Sequence, residues 1–364
     1  MEGAGEIAAL AIPFAAGAAA GCGLVSATAG TALAGWMPAA LGAGIVALLP
    51  AALSGRRSLP CFGALFFLLG CFCQCSCALL PPVPVPLPSP AGSACAALKR
   101  LIASVPYPHP RTAGIIQALL TGDRSGLSRE TTAAFRASGA AHLLALSGLH
   151  LGLIYLIVRR LFSLFGNTPA ARRGRCAATL ATTAFYTLMT GAGPSTVRAF
   201  LYICISEWSA LSAGRRKDPA RILLVALTLQ LALNPAVIAG VGFQLSYLAM
   251  LGIAVLLPRL QAWYPAPRSR LGRIDPMRRI WNAAALTLSC QAFTAPLAWL
   301  RFHTFPKYFL LTNLLALPLS SAVMAVSVAT LTLSALGACP PVLVRINDAL
   351  IQVLLNALEI ISTM

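Results

Sequence analysis

The stretch FRASGAAHLLALSGLHLG, residues 135–152, decides how the rest of the chain is read. It opens polar and charged and runs straight into apolar sequence. Two histidines, His142 and His150, lie within it, with the pair Ser147–Gly148 between them. Read as one straight helix turning about 100° per residue, it places Ala141, Ala145, Gly148 and Gly152 on one narrow stripe. The last two form a G-x-x-x-G, while His142, Ser147 and His150 fall on the opposite arc. Small residues let two membrane helices approach closely. Polar side chains at membrane depth have to face protein or water, because lipid cannot satisfy them. One face is therefore expected to pack, through Gly148 and Gly152, and the other to be wet.

The surrounding composition fits that reading. Of 364 residues 58% are hydrophobic and only 10% are charged, and the mean hydropathy is +0.80. This is too apolar for a soluble domain and predicts an all-α, polytopic integral membrane protein. The first residues, MEGAGEI, hold two acids and no basic region, so the first span is expected to act as its own insertion signal. The net charge of +18 is read as topology rather than as nucleic-acid binding. Seventeen of the 27 Lys and Arg lie between apolar segments, in clusters at 56–57, 159–175, 215–221 and 259–279. Every second connection is basic, which is the positive-inside pattern.

Little in the chain suggests catalysis. No pair among the nine carboxylates is spaced for general acid–base work. There is no phosphate loop and no H-E-x-x-H. His109, His142, His150 and His303 do not form a metal cluster, so no metal, cofactor or catalytic residue is expected.

Taken in order, residues 1–80 read as N-terminal transmembrane helices, with spans at 7–29, 31–53 and 61–80. The third carries Cys71, Cys73, Cys75 and Cys77; alternate residues of a helix do not share a face, so four ligands would not converge. Residues 81–94 form a Pro-rich external linker, PPVPVPLPSP at 81–90, predicted as polyproline II. Residues 95–140 form an external basic, amphipathic segment. Between 95 and 136 it sets Lys99, Arg100, Arg111, Arg124, Arg129 and Arg136 against Asp123 and Glu130, a net +4 on the side where the positive-inside rule expects little. Ile115, Ile116, Leu119 and Leu120 suggest a helix lying on the membrane. Two readings stand: a grip on anionic headgroups, or a mouth for an anion built from Arg111, Arg124, Arg129 and Arg136. Residues 141–364 form the membrane domain, with spans at about 141–158, 176–190, 195–212, 222–234, 239–257, 282–301, 308–336 and 342–361. That makes about eleven in all, with the C-terminus outside.

Two of these spans are short and end at breaks near the outer side, one at Gly191–Pro194 and one at Asn234–Pro235. Short, Gly/Pro-interrupted spans point to a substrate site. At the first break, Gly193 and Pro194 begin a new helix. Its N-terminus is electropositive, and Arg198 sits one turn in, at a depth where a charge is costly. A substrate-facing Arg198 is favoured over a pair with Glu207, nine residues away on the opposite face. Gln244, Ser246 and Tyr247 after the second break, and Asn313 further on, either glue helices or line a path.

Five motifs in fixed order resemble the ComEC-type competence family, whose members pass single-stranded DNA across the cytoplasmic membrane during natural transformation. They are ALLTGDRSGLS (118–128), FRASGAAHLLALSGLHLGL (135–153), GPSTVRAF (193–200), NPAVIAGVGFQLSYLAMLGI (234–253) and TAPLAWLRFHTFPKYFLLTNLLALPL (294–319). They cover about residues 111–320. Such proteins often carry an OB-like domain after the early spans and a C-terminal metallo-β-lactamase-like domain. The proline spacer stands in the first place and the last span in the second, so the resemblance is expected to cover the membrane channel alone, and no nuclease role is carried over.

The resemblance implies a non-enzymatic conduit for single-stranded DNA in the bacterial cytoplasmic (inner) membrane. Phosphates would be drawn in by Arg111–Arg136, would pass the helix ends near Pro194 and Asn234, and would meet Arg198. His142, Ser147, His150, Gln244 and Asn313 would line the path. Implied partners are single-stranded DNA, the bilayer, an external DNA receptor, a cytoplasmic motor and a separate nuclease, with a homo-oligomer as a further option. A secondary transporter or flippase for a small anion would use the same broken helices, and a non-transporting scaffold is a third reading. The charge pattern fixes an orientation that can be tested: a cysteine introduced at Ser269 should stay unreactive, above the unsubstituted background, toward an impermeant thiol reagent in intact cells. Labelling without lysis would reverse the topology.

Overall fold

A computed structural model describes residues 2–31, 33–53, 58–79, 89–144, 148–166, 168–211, 219–264, 275–303 and 306–363. The described residues are helical, without a strand. In chain order the helices are α1 (Glu2–Thr28), α2 (Leu33–Leu53), α3 (Ser58–Leu79), α4 (Ser89–Ser104), α5 (Pro110–Thr121), α6 (Arg129–Ala137), α7 (Ala141–Leu144) and α8 (Gly148–Ser163). They continue as α9 (Pro169–Met189), α10 (Pro194–Leu211), α11 (Pro219–Leu233), a 3-10 turn (Pro235–Ala239), α12 (Val241–Val255), α13 (Leu257–Ala262), α14 (Pro276–Phe302), α15 (Phe309–Ala335) and α16 (Pro341–Thr363). Among the described residues, six helical segments are long and apolar enough to cross a membrane, and Leu33–Leu48 and Pro219–Leu233 are shorter apolar helices. The chain is a multi-pass, all-α membrane protein.

Two compact units are present: Met1–Val85 with Leu201–Leu251, and Pro86–Phe200 with Gly252–Met364. In the first, α1 and α3 meet backbone to backbone. A Cβ on Gly17 would stand 1.9 Å from the Phe67 carbonyl oxygen, and one on Gly70 2.2 Å from that of Phe14. Only glycine permits an approach this close, and the Cys71 thiol adds a hydrogen bond to the Gly17 carbonyl at 3.1 Å. Cys71 and Cys75 are buried while Cys73 and Cys77 are half-buried, the two-faced split that helical spacing dictates. The second break follows α11. Asn234 is exposed and Pro235 buried at the start of the 3-10 turn. Gln244 of α12 donates to the Ile238 carbonyl at 2.8 Å, so its amide satisfies the turn. The Tyr247 hydroxyl donates to Gln230 Oε1 at 2.9 Å.

The second unit has a continuous core in which α5, α15 and α16 share Ile115, Ile116, Leu119, Val323, Met324, Ile351, Leu354 and Leu358. The segment expected to lie on the membrane is therefore internal: Ile115, Ile116, Leu119 and Leu120 are buried against protein. The reason is on α16, where Val344, Asn347, Asp348, Ile351, Leu354, Leu355, Leu358 and Ile361 form a buried stripe at helical spacing. That stripe offers an apolar face to match. Helix α4 already starts at Ser89, inside the span read as linker to residue 94; residues 81–88 lie outside the described residues.

Helix α9 is also longer than expected. Thr168 caps it, accepting from the Ala171 N–H at 3.1 Å, and Pro169 occupies the first turn. It therefore runs for 21 residues, about 31 Å, and carries Arg172, Arg173 and Arg175 as helix rather than loop. Arginine is a good helix former. Helix α11, of 15 residues, is about 22 Å long and remains short.

Candidate functional site

The organising stretch is not one straight helix. Helix α6 ends at Ala137, and Gly139 follows in the left-handed region at φ 83°. A Cβ there would also stand 2.7 Å from Pro306 Cβ, so glycine is required twice over. Described helix resumes over Ala141–Leu144 (α7) and Gly148–Ser163 (α8), with residues 145–147, Ser147 included, outside the described residues. The interruption redistributes the residues expected on one wet arc: His142 is exposed, its Nδ1 3.1 Å from the Gly139 carbonyl, while His150 is fully buried.

Backbone groups freed by this interruption need partners, and side chains from neighbouring elements supply them. Thr312 of α15 donates to the Ser138 carbonyl at 2.7 Å. Arg124 Nε donates to the Leu144 carbonyl at 3.0 Å. On α5, the Leu120 carbonyl accepts from the buried Tyr186 hydroxyl of α9 at 2.8 Å.

Gly148 meets the first turn of α10. A Cβ on it would lie 3.4 Å from Ala199 Cβ and 3.8 Å from Arg198 Nη2. Gly152 meets nothing within 4 Å. Of the two glycines of the G-x-x-x-G, Gly148 is the one that approaches a neighbour among the described residues. The first break matches its expected position. Gly191 and Ala192 take positive φ of 84° and 49°, and the Ala192 N–H returns to the Thr187 carbonyl at 2.8 Å. Helix α10 then begins at Pro194, with Gly193 accepting from the Val197 N–H at 2.9 Å and from the Thr196 hydroxyl at 2.8 Å. Arg198 is half-buried one turn in. The structure therefore brings Gly148 beside Arg198, one turn along α10 from Gly193 and Pro194. Asn313, on α15 next to Thr312, has a buried Oδ1 with no hydrogen-bond partner among the described residues; such a group is costly at membrane depth. Gln244, Asn234 and Pro235 belong to the other unit.

The basic segment divides into cations with protein partners, of which Arg111 and Arg124 are themselves exposed, and cations that only face outward. Lys99 Nζ is 2.5 Å from Asp123 Oδ2, which also accepts from Gln117 Nε2 at 3.1 Å. The Lys99 ammonium, and then the Ser125 N–H, hold the Asp123 carboxyl below the usual range. Arg111 reaches Glu130 at 3.6 Å and Glu359 at 3.5 Å, and Arg124 is tied to Leu144. Arg100, Arg129 and Arg136 point outward and are exposed. Sequence reading missed what anchors this layer. The buried Asp348 carboxylate of α16 receives the Thr112 hydroxyl at 2.5 Å and the His109 backbone N–H at 3.3 Å on Oδ1, and lies 2.6 Å from His109 Nδ1 through Oδ2. The signal was available, since an acid inside an apolar helix demands a partner.

The family described as Competence protein matches residues 119–364. Among curated proteins, the chain is 28% identical over 209 residues to ComE operon protein 3 of Bacillus subtilis (strain 168), covering 57% of this chain and 25% of that one. It is 30% identical over 217 residues to Competence protein ComA of Neisseria gonorrhoeae, covering 58% and 29%. An uncharacterized protein, YcaI of Escherichia coli (strain K12), is 26% identical over 239 residues, covering 62% and 30%. The match thus spans less than a third of the length of these relatives. No solved structure matches.

The site separates packing from function in a way that can be measured. Gly148→Leu drives bulk into Ala199 and should lower the amount of folded protein, with an overpacking cost of about 1–3 kcal/mol. Arg198→Gln removes a charge that opposes insertion by about 2.5–3.5 kcal/mol, so protein level should hold while transport falls. If Arg198→Gln loses protein in proportion to transport, the arginine is a structural partner.

Proposed function

We propose that this chain, which belongs to the Competence protein family, forms the membrane conduit through which single-stranded DNA crosses the bacterial cytoplasmic membrane during natural transformation. The observation that carries the reading is the Arg198 guanidinium one turn into α10, beside Gly148. A helix N-terminus and a half-buried cation together favour a passing phosphate. Release then requires that this grip stay weak, because a conduit has to bind and let go. Arg100, Arg129 and Arg136, exposed on the helical layer of α4–α6, would gather the strand at the outer side. His142, His150 and Asn313 would line the way inward. The conduit performs no chemistry and uses no cofactor or metal. The energy for transport then comes from a cytoplasmic motor, while an external receptor delivers DNA and a separate nuclease removes the second strand. A homo-oligomer is compatible with this arrangement.

The fastened and exposed arginines give the test. Each phosphate contact contributes about 0.7 to the slope of log affinity against log salt for a single strand. Arg129→Gln with Arg136→Gln should flatten that slope by about 1.4 for single-stranded DNA binding to the purified protein. Arg111→Gln and Arg124→Gln should leave the slope nearly unchanged and instead lower thermal stability, because both side chains are committed to protein partners. An unchanged slope in the double variant would remove DNA from the outer layer and leave a small anion as the substrate to examine.

A further inference from the structure

We propose that the corner joining α8 to α9 is a binding surface for anionic lipid headgroups, built from Arg160, Arg172 and Arg173 with Leu161, Leu164 and Phe165. No carboxylate occurs between Glu130 and Glu207, yet the hairpin of α8 and α9 carries Arg159, Arg160, Arg172, Arg173 and Arg175. The surface is therefore uniformly cationic over a long stretch of chain. The two helices pack on each other, which brings the arginines at the end of α8 toward those at the start of α9. Arg159 is committed locally: it donates to the Tyr155 hydroxyl, and its guanidinium lies 5.6 Å from the centre of that ring. Arg160, Arg172 and Arg173 are exposed.

The apolar residues around them distinguish a lipid surface from simple charge placement. On α8 and the turn that follows it the outward stripe runs Leu149, Leu156, Arg160 and then Leu164, within about 80° of helical arc. Leu156 is 57% exposed and Leu164 80%. Arg160 thus sits about 6 Å along the axis from an outward leucine on either side. Past the last helical turn the chain keeps turning, with the Leu164 N–H on the Leu161 carbonyl at 3.2 Å. Phe162 and Phe165 stack at 5.8 Å in a tilted pair, so the tip is an ordered apolar wedge and not a loose loop. Water is a poor solvent for that wedge, and acyl chains alone are a poor solvent for Arg160. The boundary between acyl chains and headgroups suits both, with leucine and phenylalanine inserted and guanidinium groups on phosphates. Guanidinium is the cation matched to phosphate oxygens by its paired donors.

The inference is independent of the DNA reading, and a tryptophan at the wedge tests it. Phe165→Trp protein is reconstituted in phosphatidylcholine vesicles containing phosphatidylglycerol, with bromine on the acyl chains of one lipid or the other at equal mole fraction. The fluorescence quenched is taken as the difference from the parent chain, which removes the native tryptophans. The expected result is quenching by the brominated anionic lipid about fivefold stronger, the enrichment that a single basic residue near an anionic surface supports. Replacing Arg160, Arg172 and Arg173 by Gln should bring the ratio to one while quenching persists. Equal quenching by both lipids in the Phe165→Trp protein would overturn headgroup selection. Quenching by neither would place the wedge in water or on a soluble protein and would overturn the proposal outright.

Discussion

One buried carboxylate determines how the second unit is assembled. Asp348 sits inside the apolar stripe of α16, where an ionised group without partners would be heavily penalised. Its partners all come from the start of α5: the His109 N–H, the His109 ring and the Thr112 hydroxyl. The pairing sets where α5 begins against α16 and its register. From that point Ile115, Ile116 and Leu119 follow at helical spacing into the shared core. Near the far end of α16, Glu359 meets Arg111, which also reaches Glu130 of α6. Two acids on α16 thus fasten the start of α5, and a layer that looks like a surface appendage in sequence becomes part of the fold.

That fastening changes what the basic segment offers. Cations that hold the protein together are unavailable to a ligand, and Lys99, Arg111 and Arg124 are occupied in that way. What remains outward is a smaller set, Arg100, Arg129 and Arg136, on a rigid base. Rigid placement suits a surface that has to guide a polymer without trapping it, because few contacts of fixed geometry bind weakly and release quickly. The same economy holds deeper in the unit. The interrupted stretch around Gly139 has the Ser138 carbonyl occupied by Thr312, and the Leu144 carbonyl accepts from Arg124. The irregular backbone is thereby stabilised by protein contacts, the condition under which such backbone is tolerated at membrane depth.

Much of the fold was legible in the sequence where local chemistry is decisive. Proline cannot occupy a helix interior cheaply but fits its first turn, and α10 begins at Pro194 and the 3-10 turn at Pro235, as read. The long apolar helices α14, α15 and α16 follow from hydropathy alone. Other features depend on partners distant in sequence and were not legible. Ile115 and Leu119 look the same whether they face lipid or α16, and only the α16 stripe decides. Arg172, Arg173 and Arg175 suggested a loop by their charge, yet a threonine cap and a first-turn proline carried them into α9. The straight helix drawn through residues 135–152 failed at Gly139, which takes a left-handed φ. Within the site, the proximity of Gly148 to Arg198 was not visible in either motif alone. Asp348, some 239 residues from His109, could have been flagged only as an acid in need of a partner.

The most direct test of the conduit is transport itself. Cells lacking the gene would be given labelled double-stranded DNA, and internalised label protected from external nuclease would be measured alongside DNA bound at the surface. The account predicts that surface binding persists while internalised single strands disappear, and that the native chain restores them but Arg198→Gln at equal protein level does not. Internalised DNA unchanged by loss of the gene would contradict it.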